Sequence, residues 1–344
     1  MNKKISNITT QVKHIPLKTP FITALRRVET IEFVRVYLTC EDGSVGVGEA
    51  PATMAITGED IEIILASIAK VKESLIGLDI EDALETLHKS TIGSSAKAAL
   101  DIACVFLLGQ AKSKSLLEYF EIQELAPIYT DITISLNAAD VMLRDAKAAF
   151  SEGMGILKIK LGSDISHAIE VTQKLSSSLV NAELLIDANQ AWSYEDSLVY
   201  LNAVKELKLE LVEQPVVAED LASLKLLSQA TEIPILADEA TFTLEDVKKV
   251  YETQSADMIN IKLMKCGGVS RAIEILEYAR EKNISVMLGS MLEGPYSINA
   301  ALYLAFAYRD VIKYIDLDSP LLYKKASDEL DFTFKASMIS LRRN

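Results

Sequence analysis

Cysteine, histidine and basic residues are all scarce in this 344-residue chain, and each shortage removes a class of function. The three cysteines, Cys40, Cys104 and Cys266, are odd in number, far apart and form no CxxC pair. That argues against a disulfide framework or a cysteine-based zinc site and fits a reduced, cytoplasmic protein. The three histidines, His14, His88 and His167, fall outside the strand ends described below, and His88 and His167 read as exposed helix residues. No histidine base is therefore expected. Lysine and arginine number 35 against 49 acidic residues, a net charge of −14. That excess argues against nonspecific nucleic-acid binding, which rests on neutralising phosphates. No apolar core follows the basic residues of MNKKISNITTQ, so no signal peptide is expected. The longest strongly apolar stretch, around 298–308, is too short to cross a bilayer and reads as a buried helix.

Apolar residues make up 49% of the chain, which places it among globular proteins with length for about two domains. Residues 1–125 read as an α+β unit. Strands are expected over 4–16, 30–40 and 44–49, the last two joined at Glu41-Asp42-Gly43, a hairpin signal. Helical patterns follow over 59–74, 80–90 and 95–112, with Ser95 as N-cap of the last. From about residue 130 the rhythm changes. Short apolar strands recur at 132–136, 157–161, 184–187, 209–213, 233–237, 258–263, 285–289 and 312–317, roughly 24–28 residues apart. Strands alternating with helices imply parallel pairing, and eight such units fit a closed β/α barrel. An open doubly wound sheet is the rival, but no GxGxxG follows an early strand. The alternating run near 331–335 cannot be a ninth barrel strand and is expected to return to the first domain. This divides the chain into 1–125, 126–320 and 321–344.

The polar residues at the strand ends carry the chemistry. Lys158 and Lys160 are two apart on the second barrel strand, so their side chains share a face. Asp187, Glu213 and Asp238 end or follow the next three strands, and Lys262 nears the end of the sixth. Catalytic groups in such barrels sit at the C-terminal strand ends. One charged residue there is usually a solvated boundary, but six on five successive strands would be costly to bury without a ligand. Three carboxylates supply hard oxygen ligands suited to Mg²⁺, and the lack of partnering His or Cys disfavours zinc. The bases should then be lysines. A free lysine titrates near 10.4, and neighbouring positive charge from Lys158, Lys160 and a cation is expected to lower it to about 7–8. Lys160 and Lys262 lie across the barrel, one for each face of a carbon, which suits racemisation or epimerisation. Asp316 and Asp318 form a second pair two apart. They are either an Asx turn before Pro320 or a carboxylate pair able to hold an ammonium.

These residues resemble the enolase superfamily, within it the muconate-lactonising subgroup, and most closely its dipeptide epimerases of the L-Ala-D/L-Glu type. The flanking text LKIKLG, DANQAW, VEQP, ADEA and INIKLMKCGG carries the resemblance over nearly the whole chain. It implies a modified TIM barrel of the (β/α)7β type, with an α+β capping domain built from the N-terminal region and the C-terminal tail. It implies one Mg²⁺ per subunit on Asp187, Glu213 and Asp238. Lys160 and Lys262 would be the two acid/base groups, with Lys158 stabilising an enediolate. Asp316 and Asp318 would bind the N-terminal ammonium of a dipeptide, with Thr133 and Glu293 as further substrate contacts. Cap loops at 20–26 and 49–58 would select the side chain. Arg26 would meet a glutamyl carboxylate, a bidentate contact that makes physical sense, or else be a surface strand residue beside Arg27. A homo-oligomer and a role in reusing murein peptides are likewise implied. Cycloisomerisation, o-succinylbenzoate synthesis and N-acylamino acid racemisation share the lysine and metal set, but their substrates lack the ammonium. A non-catalytic barrel is disfavoured by retention of both lysines and all three ligands. Two departures stand out: Gly294-Pro295 after Glu293, and an end at Leu341-Arg342-Arg343-Asn344 without a glycine-rich tail.

Overall fold

The computed structural model describes residues 3–113 and 115–342. Arg343 and Asn344 of the C-terminal run, and Met1 and Asn2 of the N-terminal one, lie outside them. The chain opens with an antiparallel sheet of β1 (Ile5–Ile22), β2 (Arg27–Cys40) and β3 (Val45–Pro51). The Asp-Gly signal makes its hairpin: Gly43 adopts φ 82° and its N–H donates to Cys40 O at 2.9 Å. Helices Ile61–Leu75, Ile80–Lys89 and Ser94–Lys112 follow. The third corrects the Ser95 cap. It starts at Ser94 behind Gly93, and Glu59 supplies the cap, accepting the Ser95 and Ala96 N–H groups at 2.7 and 3.2 Å. A side chain at position 93 would collide with that carboxylate, since its Cβ would lie 2.1 Å from Glu59 Oε1.

After β4 (Ile128–Tyr129) come the eight parallel barrel strands: β5 (Ile132–Ile134), β6 (Ile156–Lys160), β7 (Glu183–Asp187), β8 (Leu211–Glu213), β9 (Ile235–Ala237), β10 (Met258–Lys262), β11 (Ser285–Gly289) and β12 (Ile312–Asp316). They pair in chain order, as successive β/α units do, so the expected eight-stranded β/α barrel is present beside a separate antiparallel sheet. The seam between β5 and β12 closes through other bonds. Asp131 N donates to Ile315 O at 3.0 Å, and Thr130 Oγ1 accepts Leu317 N at 3.0 Å. The apolar stretch near 300 is the buried helix Pro295–Ala307. Among the described residues no helix is long and apolar enough to cross a membrane.

The last strands, β13 (Phe332–Lys335) and β14 (Met338–Leu341), form a hairpin that pairs with β4, just before the first barrel strand. The hairpin itself therefore does not join the first domain. The residues just before it do: Lys324 N donates to Pro16 O at 2.8 Å, and Glu329 ion-pairs with Arg35. Another correction concerns His88, which is not exposed. Its side chain is 8% exposed and its Nε2 lies 2.8 Å from Asp101 Oδ2.

Inside the barrel, Leu185, Leu211, Leu236, Met258, Met287 and Tyr314 pack into one apolar layer. Two residues further along the same strands, and so on the same face, stand Asp187, Glu213, Asp238, Asn260, Gly289 and Asp316. The apolar layer is the floor of the barrel mouth, and the polar residues form the next layer up.

Candidate active site

The pocket above that floor is lined by Lys160, Asp238, Lys262, Asp316, Asp318 and Thr133 from the barrel. Asn189, Glu239 and the loop Ser290-Met291-Leu292 add to this wall. The cap contributes Phe21, Thr23, Leu25 and Arg26 from one loop, and Ala55 and Ile56 from another. The first cap loop is tied to the barrel rim: Ile22 O accepts Leu136 N at 2.9 Å, and Ile22 N donates to Ser135 Oγ at 3.1 Å. A turn closed by Thr23 N to Arg26 O at 3.0 Å then delivers Arg26 to the pocket. Burial lowers its pKa to about 10, so it stays charged at neutral pH. Neighbouring Arg27 points elsewhere and pairs with exposed Glu29.

Lys160 lies on β6 and Lys262 on β10, with three strands between them on one path around the barrel and three on the other. They therefore face the pocket from opposite sides. Each is paired: Lys160 Nζ with Asp187 Oδ2 at 2.5 Å, and Lys262 Nζ with Asp238 Oδ2 at 2.7 Å. Lys158 is fully buried and reaches Asp316 at 2.6 Å, Glu213 at 2.7 Å and Asp187 at 3.3 Å. Before any cation is added, these contacts act against the expected tuning at Lys158 and Lys262. Burial works against the charge of Lys158, but Asp316, Glu213 and Asp187 outweigh it and raise the ammonium pKa well above the ordinary value. Burial and then Asp238 act the same way on Lys262, with a net upward shift. The reason is local: each lysine touches carboxylates, whereas sequence spacing suggests lysine beside lysine.

The three expected metal ligands sit on adjacent strands. Asp187 and Glu213 are Cα partners in the β7–β8 register, and Asp238 follows β9. Gln214 holds the last in place, its Oε1 accepting Asp238 N at 2.9 Å and Ala240 N at 3.1 Å. Asn260 Nδ2 donates to Glu213 Oε1 at 2.9 Å. Burial, then Asp187, pushes Glu213 up to about 7. Around them Glu239 Oε2, Asn189 Oδ1 and Asn260 Oδ1 are buried without a hydrogen-bond donor, while Glu213 Oε2 meets the Lys158 ammonium at 2.7 Å. Such an excess of hard oxygen acceptors fits a divalent cation.

A second acidic group competes for that description. Among the described residues it is Asp131, Asp316 and Asp318 whose carboxylate atoms lie within 4.8 Å of one another. Lys158 places an ammonium against Asp316 and against Glu213, and Lys160 and Lys262 pair with Asp187 and Asp238, so lysines sit among both acidic groups. Asp318 accepts Thr133 N at 2.8 Å, so the Asp-x-Asp segment is a pocket wall rather than only a turn. Burial and then Asp316 push Asp318 up to about 6. Both Asp131 oxygens lack donors, and burial, then Asp316 and Asp318, raises its pKa well above the carboxylate range.

Glu293 is not among the pocket-lining residues; it is buried and accepts Met291 N at 2.8 Å, and so supports the loop that lines the pocket. Gly294-Pro295 also has a reason. Glu49 of the cap accepts Tyr296 N at 2.8 Å, and a side chain at 294 would place Cβ 2.5 Å from that oxygen. Sequence reasoning missed Asp131, Asn260 and Lys265. Only Asn260 carried a signal, two residues before Lys262 and thus on its face. Cys266 carries a thiol whose pKa burial pushes up to about 12.

Residues 5–120 match the mandelate racemase / muconate lactonizing enzyme N-terminal domain, and residues 141–343 match the enolase C-terminal domain-like family. The chain is 61% identical over 332 residues to the L-amino acid-D/L-Glu epimerase of Sulfurimonas denitrificans, covering 96% of this chain and 97% of that one. Among solved structures, the substrate-liganded L-Ala-D/L-Glu epimerase of Bacillus subtilis superposes with a TM-score of 0.94 at 37% identity, covering 98% and 96% of the two chains. The Enterococcus faecalis dipeptide epimerase complexed with Mg and L-Leu-L-Tyr gives 0.89 at 32% identity, covering 98% and 97%.

Proposed function

The chain belongs to the mandelate racemase / muconate lactonizing enzyme family of the enolase superfamily and is a dipeptide epimerase, and from that premise we propose that it inverts the C-terminal α-carbon of a dipeptide by two-base proton transfer between Lys160 and Lys262, with L-Ala-D/L-Glu as leading substrate. The observation that carries this reading is the placement of those two lysines on opposite sides of one pocket. One removes the α-proton and the other returns a proton to the opposite face. Asp187, Glu213 and Asp238 would hold Mg²⁺, which the Enterococcus faecalis complex contains and which the surplus buried oxygens here fit. A divalent cation there supplies Lewis-acid stabilisation of negative charge on the substrate carboxylate. Lys158, charged and buried, adds a fixed positive charge on the same side. Asp316 and Asp318 receive the substrate ammonium, Thr133 orients Asp318, and Arg26 receives the distal carboxylate.

An apolar C-terminal side chain is the second reading. Phe21, Leu25 and Ile56 line the cap side of the pocket beside Arg26, and the Enterococcus faecalis relative is complexed with a hydrophobic dipeptide. Cycloisomerase and N-acylamino acid racemase chemistry would leave the Asp131, Asp316 and Asp318 carboxyls without a substrate cation. A homo-oligomer, a cytoplasmic location and use on murein peptides complete the proposal. The test is incubation with Mg²⁺ and a dipeptide library in D₂O, following deuterium at the C-terminal α-carbon. Exchange with L-Ala-L-Glu and L-Ala-D-Glu is expected; no exchange with any dipeptide would overturn the reading.

A further inference from the structure

Lys265 is fully buried, lies three residues beyond Lys262, and does not line the pocket. An ammonium has three N–H donors, and here each has an acceptor. Lys265 Nζ lies 2.5 Å from Asp238 O, 2.6 Å from Asp238 Oδ1 and 2.8 Å from Asn260 O. No donor remains for a substrate. Its neighbours matter more. Asp238 Oδ1 is held by Lys265, which leaves Oδ2 as the oxygen turned to Lys262 and the pocket. Asn260 is the residue whose side chain holds Glu213, and its backbone carbonyl is the third acceptor. One ammonium thus ties together the ends of β9 and β10, fixes one carboxylate rotamer and steadies the strand that carries both Asn260 and Lys262.

The turn that carries Lys265 is itself anchored. Residues Leu263–Cys266 form a single helical turn, and the N–H groups of Gly267 and Gly268 both donate to Leu263 O at 3.0 Å. Gly268 packs against Asp101, where a Cβ would lie 2.4 Å from Oδ1, and the same oxygen accepts Ser270 N at 3.1 Å. Phe242 lies 5.7 Å from Lys265 Nζ and closes the remaining side. The two glycines of LMKCGG are there to bring this turn, and with it Lys265, behind Asp238.

We propose that Lys265 is a positioning residue for Asp238, a carboxylate that would hold the cation, fixing its rotamer by holding Oδ1 and leaving Oδ2 toward Lys262 and the pocket. The inference rests on the assignment of Asp187, Glu213 and Asp238 as ligands. Partners that orient ligands in this way typically change metal affinity about 10–100-fold when removed.

The experiment is calorimetric titration of Mg²⁺ into the folded wild type, Lys265→Met, Lys265→Arg and Asp238→Asn, with kcat and KM measured on the same samples. Lys265→Met is expected to weaken Mg²⁺ binding by at least about 10-fold. It should lower kcat while leaving the dipeptide KM at saturating Mg²⁺ within about 2-fold, because the lysine touches no substrate. Lys265→Arg should recover most of the affinity. If Lys265→Met does not fold, Lys265→Gln takes its place under the same criteria. Mg²⁺ affinity in the folded Met or Gln variant within about 2-fold of wild type would overturn the inference, while Asp238→Asn still loses binding. If Asp238→Asn binds Mg²⁺ like the wild type, it is the ligand assignment that fails, and the two failures are thereby told apart.

Discussion

Lys158 places its Nζ 2.6 Å from Oδ2 of Asp316, so the acidic wall of the pocket already holds one ammonium of the protein's own. Asp318, the second acidic residue of that wall, faces the pocket and is held by Thr133, whose backbone N–H donates to it at 2.8 Å, with no lysine paired to it among the described ion pairs. It is the member best placed to meet a substrate ammonium. Asp318→Asn keeps the shape and removes the charge. The KM for free dipeptides should rise roughly 10–100-fold, and for N-acetylated dipeptides it should not change. Equal effects on both would show that Asp318 does not meet the ammonium.

The opposed lysines predict an asymmetric defect. Lys160→Ala and Lys262→Ala should each lower epimerisation by about 10²–10⁴-fold. Each variant should keep residual deuterium exchange for one epimer only, and the two should differ in which. NMR of the α-proton in D₂O reads this directly. Exchange of both epimers by either variant would rule out one base per face.

Arg26 is charged, borders the pocket and has no acidic partner among the described ion pairs. Arg26→Met should raise the KM for Ala-Glu roughly 10–100-fold, the value of a charge-assisted pair. Dipeptides with an aliphatic C-terminal residue should be unaffected or improved. Comparing kcat/KM for Ala-Glu and Ala-Leu checks it, and an unchanged ratio would assign Arg26 no part in side-chain choice.

Glu293 predicts a pH dependence of stability. Burial pushes its pKa up to about 7, from an ordinary 4.5. The folded state therefore keeps a proton that the unfolded state releases. Its contribution is fully present below about 4.5 and is lost as pH rises through about 7, at most about 3 kcal/mol. Glu293→Gln cannot ionise and should gain stability over the wild type between pH 5 and pH 8. Urea unfolding at both pH values measures it. A difference that stays constant would mean Glu293 is ionised throughout.

The barrel was legible because its signals are local. Each strand is a short apolar run, and residues two apart share a face, so KIK and the carboxylates at strand ends could be placed on one rim without coordinates. Strand ends shifted by a residue or two: β8 begins at Leu211 and β9 at Ile235. The Ser95 cap failed because the competing carboxylate, Glu59, lies 36 residues away in the chain.

The site was half legible for the same reason. Lys160, Lys262, Asp316 and Asp318 line the pocket, and Asp187 and Glu213 lie buried against Lys160 and Lys158, because residue type and strand register put them there. Asp131 was not legible, since it joins Asp316 and Asp318 only where the barrel closes between β5 and β12. The direction of Glu293 was not legible, because a loop residue has no period to say which way it points.

By itself the sequence determined the fold class, the ring of strand-end polar groups and the pairing of lysines across a barrel, since periodicity and chain order are properties of the chain. Tertiary structure alone decided which charges surround Lys158 and Lys262. Whether a buried lysine is pushed down by its neighbours or held up depends on which charges lie within a few ångströms. Around Lys158 and Lys262 the fold gathers carboxylates from strands far apart in sequence.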